Sequence, residues 1–130
     1  GEIALAVVGA PLSGMPLNGE LTALRGRLLA KTATAPDYRL FALPNSKPPK
    51  PGMLRVAAGS GAAIEIETWA LTAEAFGRFV AAVPPPLSIG SVNLADGSSV
   101  KGFLVEAAAV EGARDISQYG GWRKAVAALK

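Results

Sequence analysis

One loop of this chain concentrates the residue types from which a ligand site could be built. Residues 9–16 contain two glycines and two prolines and follow directly on an apolar stretch. Proline fixes the backbone and glycine permits unusual angles, so such a loop can hold main-chain N–H groups open to a small polar or anionic ligand. The alternative is a structural turn without a ligand. If a ligand binds, the residues predicted to contact it are Gly9, Ala10, Pro11, Leu12, Ser13 and Gly14.

Four side chains outside the loop could complete such a site. Glu67 could act as a base if burial raised its pKa. Arg39 and Lys101 could bind a carboxylate, and Tyr38 could form a pocket wall. Each also has an ordinary structural explanation, namely an exposed strand face for Glu67, solvation for the two cations and core packing for Tyr38. The sequence alone leaves both explanations open.

The composition removes several kinds of chemistry. The chain contains no histidine and no cysteine, so imidazole proton transfer, thiolate nucleophiles and disulfides are all excluded. Without an imidazole to activate its hydroxyl, Ser13 is expected to form hydrogen bonds rather than to attack a substrate. No cluster of side chains has metal-ligand spacing, and we therefore predict no metal and no cofactor.

Charge and hydropathy limit the possible partners. The 13 basic and 10 acidic residues are scattered along the chain, with a net charge of +3 and no basic face that would follow a nucleic acid. No apolar run approaches the roughly 20 residues that span a bilayer, and no segment resembles a signal peptide. We predict no nucleic-acid or membrane partner and a cytoplasmic location.

The elements that must position these residues can be predicted from periodicity. Residues 3–8 form an apolar run that is typical of a buried, central strand, and residues 25–44 predict two antiparallel strands interrupted near Pro36. Residues 44–51 contain four prolines and are expected to form a surface loop with solvated lysines. Residues 64–69 alternate with period two, which places Glu67 on a face that needs water or a polar cavity.

The second half of the chain predicts two helices and a hairpin. Thr72 is a good N-cap for a helix with apolar residues at 76, 79, 80 and 83, and Asn18 could cap another short helix earlier in the chain. Asp96 and Gly97 indicate a tight turn between residues 87–94 and 100–105. A last helix is expected to dock through Trp122. Residues 1–130 are therefore predicted to form one α+β domain with a mostly antiparallel, barrel-like sheet and two or three short helices.

Four segments together carry a family resemblance, and they lie at residues 9–18, 35–44, 62–71 and 120–123. Their order and spacing resemble the carboxy-terminal domain of allophanate hydrolase over nearly the whole chain. The resemblance implies a γ-glutamyl cyclotransferase-like fold and an upstream amidase domain or subunit. A bacterial-style cytosolic setting is the default for this cysteine-free composition, and the chain could form homo-oligomers. The resemblance also implies a small urea-derived ligand, N-carboxyurea, which the family decarboxylates to urea and CO2.

This chain departs from the pattern at one informative position. The family loop usually reads Gly-Ala-His-Leu-Ser-Gly, and its histidine is implicated in decarboxylation, whereas Pro11 occupies that position here. Cyclotransferase activity is not expected, because residues 80–87 lack the acidic base that cyclotransferases carry after their main helix. Three hypotheses follow. The domain promotes decarboxylation without histidine, it stabilises or oligomerises an amidase partner without catalysis, or it binds another small metabolite as a γ-glutamyl cyclotransferase-like module.

Overall fold

The computed structural model describes residues 1–129, which fold into two β-sheets and short helices. The strands are β1 (Glu2–Val7), β2 (Arg27–Ala33), β3 (Tyr38–Ala42), β4 (Pro51–Arg55), β5 (Glu65–Thr72), β6 (Leu87–Asn93), β7 (Ser99–Val105) and β8 (Arg114–Asp115). The α-helices are α1 (Asn18–Ala23), α2 (Ala73–Ala81) and α3 (Trp122–Ala128), and 3-10 turns cover Ala107–Val110 and Ser117–Tyr119.

The larger sheet has the strand order β2-β5-β1-β7-β6 and the smaller one the order β4-β3-β8. All pairs are antiparallel except β1 with β7. The predicted α+β class and mostly antiparallel pairing are confirmed, although the strands form two open sheets rather than a closed barrel. As predicted, β1 is the central strand of its sheet, and its residues Leu5, Ala6 and Val7 are completely buried.

The two strands predicted within residues 25–44 are present, but they do not pair with each other. β2 pairs with β5 in the larger sheet, whereas β3 pairs with β4 and β8 in the smaller one. The connection turns away after Thr34, where Ala35 N–H donates to Asn93 O at 3.0 Å. Pro36 offers no donor for a continued ladder, so the chain crosses between the sheets at this point.

The alternation in β5 predicts that the face carrying Glu67 meets either water or a polar cavity, and the structure shows a buried polar cluster there. Ile64 and Ile66 point into the core as predicted, but Glu67 on the opposite face is also 0% exposed. The ladder places β5 between β1 and β2, while the loop after β1 and helix α3 cover the second face. Period-two alternation therefore records a polar cluster inside the protein rather than a solvent boundary.

Helix α2 follows β5 directly and packs on the larger sheet as predicted. The Thr72 side chain accepts a hydrogen bond from Ala75 N–H at 3.1 Å, so it is the predicted N-cap. Phe79 is buried, and its ring meets Phe103 of β7 edge to face at 5.7 Å. The helix ends at Ala81, before the prolines at 84–86, and thereby positions its last turn beside the loop that follows β1.

The predicted hairpin and the last helix are also present. β6 and β7 pair from Leu87–Val105 to Asn93–Ser99, and Gly97 in the turn has φ of +90°. Trp122 docks α3 into the core, whereas Leu129 remains 40% exposed. Asn18 begins α1 but does not cap it, because its side chain bonds to the preceding loop instead. Within residues 1–129, no helix is long and apolar enough to cross a bilayer.

Candidate functional site

The loop after β1 is held by its own backbone. Leu12 N–H donates to Gly9 O and Leu17 N–H to Ala10 O, both at 2.9 Å. The Asn18 side-chain amide donates to Pro11 O at 2.8 Å, which joins the start of α1 to the centre of the loop. The loop therefore has a defined shape without any ligand.

One side of the loop is fixed by a buried carboxylate. Ser13 donates twice to Glu67, from its N–H to Oε1 at 2.8 Å and from its hydroxyl to Oε2 at 2.5 Å. Trp69 Nε1 donates to Oε1 at 3.1 Å, and Arg123 Nη2 donates to Oε2 at 2.7 Å. We call Ser13, Glu65, Glu67, Trp69 and Arg123 the Glu67 cluster.

The hydrogen bonds decide the charge state of Glu67. Burial alone would raise its pKa, but the hydrogen bonds from Ser13, Arg123 and Trp69 outweigh burial and lower the pKa below its ordinary value. Each carboxylate oxygen accepts two hydrogen bonds and has no free lone pair. Glu67 is therefore an ionised anchor for the loop, and the raised pKa that a base would need is absent.

Arg123 completes the cluster and was not singled out from the sequence as a site residue. Its Nη2 contacts Ser13 O at 2.6 Å and Ser13 Oγ at 3.0 Å, and its Nη1 contacts Glu65 at 3.1 Å. Burial alone would lower the pKa of Arg123, but hydrogen bonds to Glu67 and Glu65 raise it. Gly121 permits this approach of α3, since a Cβ there would lie 2.8 Å from Glu65 Cβ. Both Gly121 and Arg123 lie in the segment 120–123 that carries the family resemblance, so that segment could have indicated Arg123 as a site residue.

The other side of the loop borders a cavity of about 410 Å³, which we call the loop cavity. Most of its lining is apolar, and the charged residues among those that line it are Glu20, Lys50 and Arg78. Its walls are residues 8–11 of the loop, residues 50, 51 and 53 at the start of β4, residues 78–84 around the end of α2, and residues 103–104 of β7.

Two backbone donors of the loop remain without an acceptor beside this cavity. Gly9 and Ala10 are buried, and neither N–H donates to any acceptor in the described part of the chain. Buried backbone N–H groups nearly always have a hydrogen-bond acceptor. Two adjacent N–H groups that lack one therefore favour an external acceptor, such as a carboxylate or carbonyl oxygen.

The structure divides the predicted ligand residues into separate groups. Gly9, Ala10 and Pro11 line the loop cavity. Leu12 is completely buried beneath the loop, whereas Gly14 is exposed with φ of +79°. Ser13 and Glu67 meet each other in the Glu67 cluster rather than at the cavity. Only the first part of the loop is therefore placed to touch a molecule in the cavity.

Tyr38, Arg39 and Lys101 do not line the loop cavity. Tyr38 is completely buried, and its hydroxyl accepts hydrogen bonds from Asn93 N–H at 2.8 Å and from Arg55 at 3.1 Å. Arg39 forms a surface ion pair with Asp115 at 3.4 Å. Lys101 donates to the Ser91 hydroxyl at 3.1 Å. Their predicted contact with a ligand gains no support from these positions.

Lys50 is the functional candidate that sequence reasoning passed over. We expected the lysines of residues 44–51 to be solvated, yet Lys50 is half-buried and lines the cavity. The following residue explains its position, because the Pro51 ring lies where a Cβ on Gly9 would be.

No group of three potential metal ligands occurs within residues 1–129.

Comparison with known proteins identifies close relatives of this domain. The family model for the allophanate hydrolase C-terminal domain matches residues 3–127. A urea amidolyase of Saccharomyces cerevisiae is 44% identical over 132 aligned positions, which cover 99% of this chain and 7% of that protein. An allophanate hydrolase of Kluyveromyces lactis superposes with a TM-score of 0.94 at 38% identity, covering 100% of this chain and 22% of that chain.

Two further structures extend the comparison. A uropathogenic E. coli-specific protein is 34% identical with a TM-score of 0.89, and the match covers 98% of this chain and 97% of that one. An AIG2-like protein of Mus musculus (GGACT) is 15% identical with a TM-score of 0.60 over 83% of this chain, which is a likeness of fold alone. The γ-glutamyl cyclotransferase-like fold predicted from the resemblance is thereby confirmed.

The relatives differ in how much else they contain. The chain spans 7% of the length of the curated relatives it matches, so in those proteins this domain is a small part of a much larger polypeptide. They come from yeasts, and the expected bacterial setting gains no support from them. The family match over residues 3–127 and the agreement of the whole fold lead to one conclusion. The chain belongs to the allophanate hydrolase C-terminal domain family.

Proposed function

We propose that this domain binds a small urea-derived carboxylate, N-carboxyurea, in the loop cavity and promotes its decarboxylation to urea and CO2. The observation that carries the proposal is the pair of unpaired, buried N–H groups of Gly9 and Ala10 at the wall of a mostly apolar cavity. Two adjacent main-chain donors suit a carboxylate or carbonyl oxygen. The volume of about 410 Å³ lies in the usual range for small-molecule sites.

The apolar lining suggests how the reaction is promoted. A carboxylate that enters the cavity loses most of its hydration, and its negative charge spreads as CO2 departs. Desolvation therefore disfavours the bound carboxylate more than the transition state. The two N–H donors hold the ligand in place and recover part of the lost hydrogen bonding. None of these steps uses an imidazole, which is consistent with Pro11 at the family's histidine position.

The relatives support a urea-derived ligand through their names, urea amidolyase and allophanate hydrolase. An amidase domain or subunit that hydrolyses allophanate releases N-carboxyurea. We therefore propose such an amidase as the partner of this domain.

The test is CO2 release from N-carboxyurea generated in situ by a separate amidase acting on allophanate. The reactions to compare are buffer, the unmodified chain and its Pro11→His variant. Acceleration by the unmodified chain supports histidine-free decarboxylation. Acceleration by Pro11→His alone means that the cavity binds the substrate but that this chain lacks the catalytic group. No acceleration by either rejects the proposal.

One observation favours the non-catalytic alternative, a domain that stabilises or oligomerises its partner. β2 is an edge strand of the larger sheet, and its residues Leu28 and Leu29 are 39% and 45% exposed. Exposed apolar residues on an unpaired edge are typical of a protein contact.

Sedimentation velocity with and without the amidase tests this function, and Leu29→Lys should abolish any complex that uses β2. The matched control is Leu129→Lys, which changes another exposed leucine, at the end of α3, and should leave that complex intact.

A further inference from the structure

We propose that Lys50 donates the proton that the departing nitrogen requires when CO2 leaves the substrate. This inference depends on the proposed function, since it concerns the same reaction in the loop cavity. It identifies a specific catalytic residue in a chain that has no histidine and no cysteine.

The reaction itself creates the need for a proton. In N-carboxyurea the bond between the carboxylate carbon and the urea nitrogen breaks, and its electron pair stays on nitrogen. The carboxylate carbon leaves as CO2, and one proton must reach the nitrogen for urea to form. Transfer from an ammonium group balances the step, because the resulting amine regains its proton from water.

Few groups at the cavity can supply that proton. The charged residues in the lining are Glu20, Lys50 and Arg78. Glu20 is an exposed carboxylate and accepts rather than donates when ionised. Arg78 has a guanidinium that does not release protons in proteins, and it is already bound to Glu74 at 2.9 Å. The ammonium of Lys50 remains as the candidate.

The contacts of Lys50 leave its ammonium available. Each salt bridge among residues 1–129 is formed by an arginine, so the Lys50 ammonium has no carboxylate within 4.0 Å in that part of the chain. The Lys50 backbone is fixed on both sides, because its N–H donates to Ser46 Oγ at 2.9 Å and its carbonyl accepts from Leu43 N–H at 3.1 Å. The backbone of Lys50 is therefore held in position, while its ammonium group forms no ion pair.

Its surroundings connect Lys50 with both the substrate and water. The next residue, Pro51, packs directly against Gly9, which carries one of the two unpaired N–H groups. Lys50 also lines a second cavity of about 340 Å³, which shares Pro84 and Leu87 with the loop cavity. Lys50 thus borders both cavities, and in this proposal the loop cavity holds the substrate while the second cavity gives water a path to restore the proton.

The experiment separates proton donation from charge alone. CO2 release from N-carboxyurea is measured as a function of substrate supply for the wild-type chain, Lys50→Arg and Lys50→Met. Arginine keeps the positive charge but does not release a proton, so Lys50→Arg should keep KM within about threefold while kcat falls by about 100-fold. Lys50→Met should lower kcat similarly and also raise KM. Ethylammonium added to a Lys50→Ala variant should restore part of its rate.

The matched control is Lys47→Met, which removes another lysine of the same loop that lines the second cavity alone. It should leave kcat unchanged, and all variants should keep the wild-type Tm. A Lys50→Arg variant with the wild-type kcat, in a wild-type chain that accelerates CO2 release, overturns this inference and leaves the proposed function standing. A wild-type chain that gives no acceleration overturns both.

Discussion

The two sides of the loop after β1 differ in how completely their polar groups are paired. On one side, the Glu67 cluster satisfies all of its buried side-chain donors and acceptors. On the other side, the loop cavity leaves the N–H groups of Gly9 and Ala10 and the Lys50 ammonium without partners in the described chain. Saturated polar groups thus fix one side of the loop, whereas the unsaturated ones on the other side are available to a ligand.

The largest effect is expected from removing the central carboxylate. Glu67→Ala leaves the Ser13 N–H without its acceptor and removes the buried carboxylate that pairs with Arg123, which keeps only the half-exposed Glu65 as a carboxylate partner. Loss of one partner of a buried ion pair should lower the free energy of unfolding by about 3 kcal/mol. Urea denaturation followed by tryptophan fluorescence measures this change.

The matched control for that experiment is Glu2→Ala. Glu2 forms an ion pair with Arg27 at 2.6 Å, but both side chains are about half exposed or more. Its loss should change the free energy of unfolding by about 0.5 kcal/mol or less. Equal effects of the two substitutions would show that the Glu67 cluster is no stronger than a surface pair.

A second substitution tests the cavity wall. In Gly9→Ala the new Cβ would overlap the Pro51 ring, so the loop or the start of β4 must shift. We expect a loss of about 2 kcal/mol in the free energy of unfolding and loss of any CO2 release that the cavity supports. Gly19→Ala is the control, because a Cβ there has open space within α1 and should stabilise the domain by about 0.5 kcal/mol. If Gly9→Ala were as harmless as Gly19→Ala, the close contact between loop and β4 would be wrong.

A smaller effect is expected for the link between the two sides. Ser13→Ala removes the hydroxyl that donates to Glu67 but keeps the N–H that also donates to it. Loss of one hydrogen bond to a charged group should lower the free energy of unfolding by about 1.5 kcal/mol. Hydrogen exchange should accelerate at the amides of residues 12–17, while amides of β6 and β7 serve as an internal reference. Unchanged exchange in the loop would mean that its own backbone bonds suffice to hold it.

The mildest perturbation is a change of pH. Because the pKa of Glu67 is lowered in the folded protein, its stabilising contribution is complete above the ordinary glutamate pKa of about 4.3 and is lost as the pH falls through the folded value. The free energy of unfolding should therefore fall between about pH 5 and pH 3, and Glu67→Gln should flatten that fall by at most ~1.4 kcal/mol per pH unit. Asp37, Asp96 and Asp115, whose pKa values are also lowered, should retain a residual slope. An unchanged slope in Glu67→Gln would argue that the carboxylate is not ionised in the cluster.

Much of the fold was predictable because its signals are local. The apolar run of β1, the Thr72 cap of α2 and the turn at Gly97 each depend on neighbouring residues and are all present. These features depend on backbone conformation, which a short stretch of sequence determines.

The parts that sequence could not predict depend on distant contacts. The burial of Glu67 requires Arg123, which lies 56 residues further along the chain. The separation of β2 from β3 into different sheets, and the approach of Lys50 to the loop cavity, likewise arise from tertiary packing. Alternation cannot distinguish a polar cluster from water, because both accept a charged side chain on the same strand face.

The hydrogen bond from Arg123 to Ser13 O joins residues that are 110 positions apart in the chain. During synthesis from the amino terminus, the segment that forms most of the cavity wall is made long before the residue that fixes the loop beside it. The backbone bonds within the loop can form before then, but the restraint from Arg123 is added only after α3 has been made and has docked. A shortened chain that stopped before α3 would retain the cavity-lining residues but would lack the hydrogen bond from Arg123 that restrains the loop beside them.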